Sequence, residues 1–354
     1  MALKLDTPAA GRVSVLAGLD PASYVRHAVH QTTALWPEKN CYADLWIELL
    51  HACGEPAEAM LPFVVAVDFD GDQWTFFKPS HDELWELYGI KVQELTVWRP
   101  WIEHAFEHLS AGALLSVEVD SFWLPDTAGT DYRAKHGKTT FVFNDLDVAQ
   151  RRLGYFHNAG YCTLEGEDFD ATLQTAAAAP GEVRLPLFAE RVMPPRARGQ
   201  HDVAARLDAQ RRCSLDLMQR HLQRVPAVNP VTRFATRFAA DLPALQARGL
   251  EHYHAWAFAG TRQLGAAFEL AAAWLDWVAP ALNPATAPDQ ALARAAMLAV
   301  SADAKGLILK GARAVALHRP FDVVAHLAPT AQRWQDAMDT LRRLTAPTVR
   351  PATP

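Results

Sequence analysis

A thiol acts as a nucleophile only as a thiolate, and the free N–H groups at a helix N-terminus favour that anion. Cys41 holds such a position: it follows Trp36-Pro37-Glu38-Lys39-Asn40 and precedes a run in which Leu45, Leu49 and Ala52 recur at helical spacing. Cys53 falls at the far end of the same helix, where the dipole disfavours a thiolate, so the two are expected to differ in reactivity. By position alone Cys41 is also an ordinary small buried residue, the commonest fate of a free cysteine. A base placed opposite changes that reading. His136 directly precedes the strand pattern KTTFVF, and Asn158 directly follows RRLGYFH. A hairpin folded about Asp147 sets His136 beside Asn158, an imidazole next to an amide that orients it, as a Cys-His-Asn site requires. His157 is the rival orienter, on the opposite face in that register. The Cys41 backbone N–H supplies one oxyanion donor, and Asn40 is the candidate for a second; an asparagine there is equally a plain helix N-cap.

The elements that must position these residues form an α+β pattern. NCYADLWIELLHACGE reads as a helix closed by Gly54, and LPFVVAVDF as a buried strand. A helix is expected after Pro79 and another from Pro100, PWIEHAFEHLS, broken at Gly112 before the strand ALLSVEVDSFWL. KTTFVF and RRLGYFH, joined by NDLDVAQ, read as an antiparallel hairpin. The alanine-rich TLQTAAAAPGE and the Pro- and Arg-bearing LPLFAERVMPPRARG read as a connector. Beyond it the apolar residues follow helical spacing, with NP, AP and RP breaks, as in a helical bundle. The expected division is residues 1–195 as an α+β domain, 196–345 as a helical domain and 346–354 as a disordered tail.

Composition narrows the classes. With 354 residues and 50% hydrophobic content the chain can fill two cores. Its four cysteines show no CxxC spacing, so neither a disulfide framework nor a thiolate zinc site is expected. A reducing cytoplasm fits, with no signal peptide and no membrane span. The net charge of −6 conceals an asymmetry, since residues 184–237 hold eleven arginines against four acidic residues, a local charge of +7. This is either a set of solvated helix faces or a docking ridge for an acidic partner; no aromatic-rich RNA-binding motif or zinc-finger spacing points to nucleic acid. His104-Ala105-Phe106-Glu107-His108 matches the HxxEH zinc pattern. The helix that carries it is expected to turn Ile102, Phe106 and Leu109 inward and leave both histidines on a polar face, so no metal is expected. The stripe FELAAAWLDWV reads as bundle core, with Arg262, Gln263 and Glu269 able to line a pocket.

NCYADLW, AGALLSVEVDSFWLPDTAGTDYRAKHGKTTFVF and LGYFHNAGY together resemble an uncharacterised bacterial family, a domain of unknown function of about this whole length. More distantly, the order of a cysteine at a helix start, VDxxxLP, a histidine before a strand and a second strand is similar to the N-terminal domain of butirosin-type acyl-carrier-protein:aminoglycoside acyltransferases. That likeness runs over residues 30–165. It implies a papain-like fold, with Cys41 as nucleophile, His136 as base and Asp120 of VDSFWLP near the site. Asp120 is equally read as a cap for the turn before LPDTAGT. The chain departs from that pattern where an aspartate would orient the base, a place held here by His157-Asn158. The function so implied is a cysteine-dependent acyltransferase, moving an acyl or aminoacyl group from a carrier-protein thioester through Cys41 to a small amine acceptor. No cofactor is expected beyond the phosphopantetheine on the partner, and the acidic carrier would dock on Arg196, Arg198, Arg211 and Arg212. A cysteine hydrolase and a non-catalytic helical interaction protein are the alternatives.

Overall fold

In the computed structural model, which describes residues 11–175, 184–195 and 203–346, the chain divides into two units. The first comprises Met1–Gln31, Cys41–Ala57 and Ser80–Arg198; the second comprises Thr32–Asn40, Glu58–Pro79 and Gly199–Pro354. Along the chain, β1 (Arg12–Ser14) and a 3-10 turn at Ala28–His30 precede α1 (Cys41–Ala52). A 3-10 stretch, Ala57–Ala66, leads to the hairpin of β2 (Phe69–Asp70) and β3 (Gln73–Trp74). Then follow α2 (His81–Tyr88), β4 (Lys91–Glu94), α3 (Trp101–Ser110), β5 (Leu114–Asp120) and β6 (Lys138–Asp147). β7 (Arg152–His157), β8 (Gly160–Glu165), α4 (Gly166–Thr172) and β9 (Ala189–Met193) complete the sheet-rich region. The helical region is α5 (Val203–Leu222), α6 (Pro230–Arg248), α7 (Leu250–Ala259), α8 (Thr261–Val278), α9 (Ala287–Ala316) and α10 (Val323–Thr345). The architecture is thus mixed, a sheet-rich N-terminal region followed by a helical C-terminal region.

The sheet of the first unit is antiparallel throughout, in the order β4-β9-β5-β6-β7-β8. β1 pairs with β6 at Arg12↔Asp147 to Ser14↔Asp145, just beyond the stretch of β6 that pairs with β5. Alternation assigns the two faces. Leu115, Val117 and Val119 of β5, Phe141 and Phe143 of β6, and Leu153 and Tyr155 of β7 join Trp101, Ala105 and Leu109 of α3 and Phe169 of α4 in one core. Ser116, Glu118 and Asp120 of β5 take the opposite face, as does Phe156 of β7, whose ring meets Tyr24 edge-on at 6.3 Å. α1 packs against β6, β7 and β8.

Two expectations are corrected. LPFVVAVDF is 3-10 helix over Ala57–Ala66, not strand, and only Phe69–Asp70 is extended. A uniformly apolar run carries no period, and Pro62 within it has no N–H to give to a ladder. LPLFAERVMPPRARG is not only a connector: Ala189–Met193 is strand β9, paired on both sides, with β4 and with β5. A strand of five residues is too short to show alternation, and long-range pairing alone makes it a strand. Residues 176–183 and 347–354, which hold most of the expected alanine-rich connector and tail, lie outside the described residues.

In the second unit α8 is buried along most of its length. Its Gly265 is a close-approach glycine, since a Cβ there would lie 2.4 Å from the Trp36 ring. Trp36 Nε1 donates to Ser301 Oγ at 2.9 Å, and Glu269 of α8 accepts from the backbone N–H groups of Leu35 and Trp36 at 2.6 and 3.0 Å. Buried Lys39 reaches Trp36 O at 2.7 Å and Glu269 at 3.5 Å. The segment preceding Cys41 is therefore fastened to α8. Among the described residues, no helix is long and apolar enough to cross a membrane.

Candidate functional site

Cys41 is the first residue of α1 and is half-buried, while Cys53 follows the last residue of that helix. Burial, with Glu55 adding to it, pushes the Cys53 thiol up to about 12. The Tyr42 hydroxyl, one residue beyond Cys41, lies 3.0 Å from His81 Nε2. Burial pushes that hydroxyl up to about 12, and Glu190 and Glu118 add to the effect. The first turn of α1 thus stands within electrostatic reach of Glu118, two residues before Asp120 on β5.

His136 precedes β6 by two residues, in the connection that leads back from β5. Its Nδ1 is 2.6 Å from Asp120 Oδ2, and its ring stacks on Phe122 with centroids 4.4 Å apart. Asp120 Oδ1 accepts from the backbone N–H groups of Phe122 and Gly137, each at 3.1 Å. The carboxylate therefore caps the Ser121–Trp123 turn and also holds the imidazole. With Nδ1 engaged, Nε2 is the nitrogen left to take a proton, and His136 is 70% exposed.

Asn158 does not join this group. β6 and β7 pair as Phe141↔His157, Val142↔Phe156 and Phe143↔Tyr155, with a bulge before Asp145↔Gly154. The strand connection is at residues 148–151 rather than at Asp147, which offsets every partner from the expected register. The side chain that reaches His136 comes instead from β5, on the other side of β6, where Asp120 pairs with Lys138. Asn158 lies in the tight turn between β7 and β8, next to the His157↔Gly160 pair, with φ 46°. Asparagine tolerates that left-handed conformation, and turn geometry accounts for its residue type.

Asn40 is likewise diverted from the role of oxyanion donor. Its Nδ2 donates to Phe77 O at 2.8 Å and to Gln263 Oε1 at 3.3 Å, which commits both amide hydrogens. Arg211 donates to Trp277 O at 3.2 Å and to Asp208 at 3.3 Å and sits over the Trp277 ring, whereas Arg212 is exposed. Arg196 and Arg198 lie outside the described residues. The HxxEH helix also differs from expectation: His104 is buried, its Nε2 3.5 Å from Trp98 N, and its ring stacks on His108. It shares the inward side with Ala105 and Leu109 because the short helix turns its stripe toward β5 and β6. Among the described residues, no group of three or more His, Cys, Asp or Glu side chains could hold a metal ion.

Two buried polar clusters were not anticipated. Glu48 of α1 meets His30 Nδ1 at 2.5 Å, Tyr24 OH at 2.7 Å and His27 N at 3.1 Å, while His30 Nε2 lies 3.0 Å from Asp44. Burial pushes the Glu48 carboxyl up, but the bonds from His30, Tyr24 and His27 outweigh it and hold the carboxyl below its ordinary value. The readable signal is two acids four residues apart on a helix whose other positions are mostly apolar. In the second cluster Asp126 accepts from Tyr155 OH and meets His157 Nδ1, both at 2.5 Å, and Thr139 Oγ1 lies 2.7 Å from His157 Nε2. Both nitrogens of His157 are so used, and it faces the core rather than His136.

The first unit thus presents an antiparallel sheet flanked by helices, with an imidazole–carboxylate pair at the end of β5 and a half-buried thiol at a helix start. The chain belongs to the DUF1839 family: the DUF1839 N-terminal domain matches residues 25–193 and the DUF1839 C-terminal domain residues 208–343. No curated protein matches the chain.

Proposed function

We propose that the first unit is a papain-like thiol-nucleophile domain and that the protein is an acyltransferase using Cys41, with His136 as base and Asp120 as orienter. The observation that carries this reading is the 2.6 Å contact of His136 Nδ1 with Asp120 Oδ2, which fixes the tautomer and leaves Nε2 to accept a proton. In the reaction, the Cys41 thiolate attacks the thioester carbonyl of an acylated carrier and the pantetheine thiol departs with the proton held by His136. An amine then attacks the Cys41 thioester, His136 takes its proton, and the thiolate is released. The Cys41 N–H supplies an oxyanion donor, and nothing assigns a second to Asn40.

The carrier as donor rests on the distant resemblance and on the arginine-rich stretch, of which exposed Arg212 is the available member of its pair. The exposure of His136 supports a second reading, a hydrolase in which water replaces the amine. Intact mass spectrometry after mixing the protein with acylated carrier tests both. A Cys41 adduct that persists until amine is added supports transfer, an adduct lost rapidly without amine supports hydrolysis, and an adduct on another cysteine, or none, refutes the site.

A further inference from the structure

The second unit contains a cavity of about 460 Å³ that has no part in the chemistry above. Its volume lies within the usual range of small-molecule pockets. Four aromatic rings build its walls: Phe69 and Trp74 of the β2–β3 hairpin, Phe234 of α6 and Trp256 of α7. Phe69, Trp74 and Phe234 are mutually in contact, with centroids 5.3 to 5.5 Å apart, and Phe234 and Trp256 are stacked at 5.9 Å and 18°. The rings pack on one another, three of them edge to face, and together make an aromatic wall against which a planar ring can lie. The Trp74 indole is buried and its Nε1 has no hydrogen-bond partner, which leaves a donor on a ring of the wall unused.

The charges at the cavity select the ligand's sign. Arg237 is matched by Asp241 at 2.8 Å and by Asp72 at 3.9 Å, so neither carboxylate is free to hold a cation. Arg248 has no such match: no carboxylate among the described residues pairs with it, and its Nη1 lies 3.2 Å from His252 Nε2. An exposed guanidinium with no carboxylate beside it is a ready partner for an oxyanion.

We propose that this cavity binds a planar aromatic molecule bearing one anionic group, with the ring against the wall of Phe69, Trp74, Phe234 and Trp256 and the anion on Arg248. A carboxylate and a phosphate ester share this chemistry, and calorimetric titration of the full chain separates them. The probes are indole-3-acetate and adenosine monophosphate as anions, indole-3-methanol as a neutral ring and tryptamine as a cation. At least one anion is expected to bind at a single site about tenfold or more tighter than the neutral and cationic rings; whichever anion it is identifies the group. Arg248→Gln should remove about tenfold of that affinity while leaving the neutral ring unaffected. Ala244→Trp places a large side chain at an exposed helix position that lines the cavity, and should abolish binding without lowering the melting temperature. The proposal is overturned if neither anion binds at millimolar concentration, if tryptamine or the alcohol binds equally well, or if either variant leaves anion affinity unchanged.

Discussion

Asp120 Oδ2 holds His136 Nδ1 at 2.6 Å while Oδ1 of the same carboxylate ties Phe122 N and Gly137 N. One side chain thus shapes the turn and fixes the ring. Asp120→Asn keeps an oxygen for the backbone donors but presents an amide N–H to Nδ1, which reverses the tautomer. Acyl transfer is expected to fall by about 10²–10⁴-fold in Asp120→Asn, and similarly in His136→Ala, with the unfolding midpoint of Asp120→Asn little changed. Single-turnover assays alongside thermal unfolding check this; full activity in Asp120→Asn removes it as orienter.

Cys41 should be alkylated by iodoacetamide near neutral pH far faster than Cys53, whose burial keeps it protonated. Peptide mass spectrometry after timed quenching reads both sites. His136→Ala should slow Cys41 and leave Cys53 unchanged; equal rates for the two cysteines in the unaltered protein would contradict the assignment.

The His30–Glu48 pair gives stability a defined pH window. Burial lowers the affinity of His30 for its proton, but its bonds to Asp44 and Glu48 prevail and raise the pKa above 6.5. A raised histidine contributes fully below its unfolded value and loses that contribution as pH rises through the folded one. Glu48, lowered from 4.5, contributes above that value and loses it as pH falls through its folded one. The contribution is therefore greatest between 4.5 and 6.5 and declines on both sides. His30→Ala strands two buried acids and should cost about 3–5 kcal/mol in that window. Urea unfolding at a series of pH values measures the difference, and a pH-independent gap would mean that packing rather than charge is lost.

Arg212→Glu should weaken transfer from a subsaturating carrier and flatten its salt dependence, while turnover of a small pantetheine thioester stays unchanged. Screening acts over about 10 Å at 0.1 M salt, so the effect should fade as salt rises. Arg211→Glu is a poorer probe, because it also loses the bond to Trp277 O and the ring beneath it. Equal loss with both substrates would assign Arg212 to folding or to the site itself; no loss with either would leave it a solvated residue.

Local signals made much of the site legible. Leu45, Leu49 and Ala52 at helical spacing placed α1, and with it the opposite stations of Cys41 and Cys53. Gly54, Gly89 and Gly112, all at positive φ, follow the helices they close. The pairing of His136 was not legible, because its partner Asp120 stands at the end of a different strand and the β5–β6 register brings the two together. Propensity barely distinguishes a turn at Asp147 from one at residues 148–151, and that shift takes Asn158 out of register with His136.

By itself the sequence determined what short-range physics determines: an α+β region before a helical one, a thiol at a helix start, a histidine at a strand start and an excess of arginine between the two regions. The tertiary structure decided which partners those residues receive. β9 becomes a strand only between β4 and β5, His104 turns inward only as α3 meets the sheet, and the four rings at the cavity of the second unit converge from a hairpin and two helices far apart in the chain. Periodicity reports the face a residue prefers, whereas the partner on that face is set by register and packing across long sequence separations, where no local preference reaches.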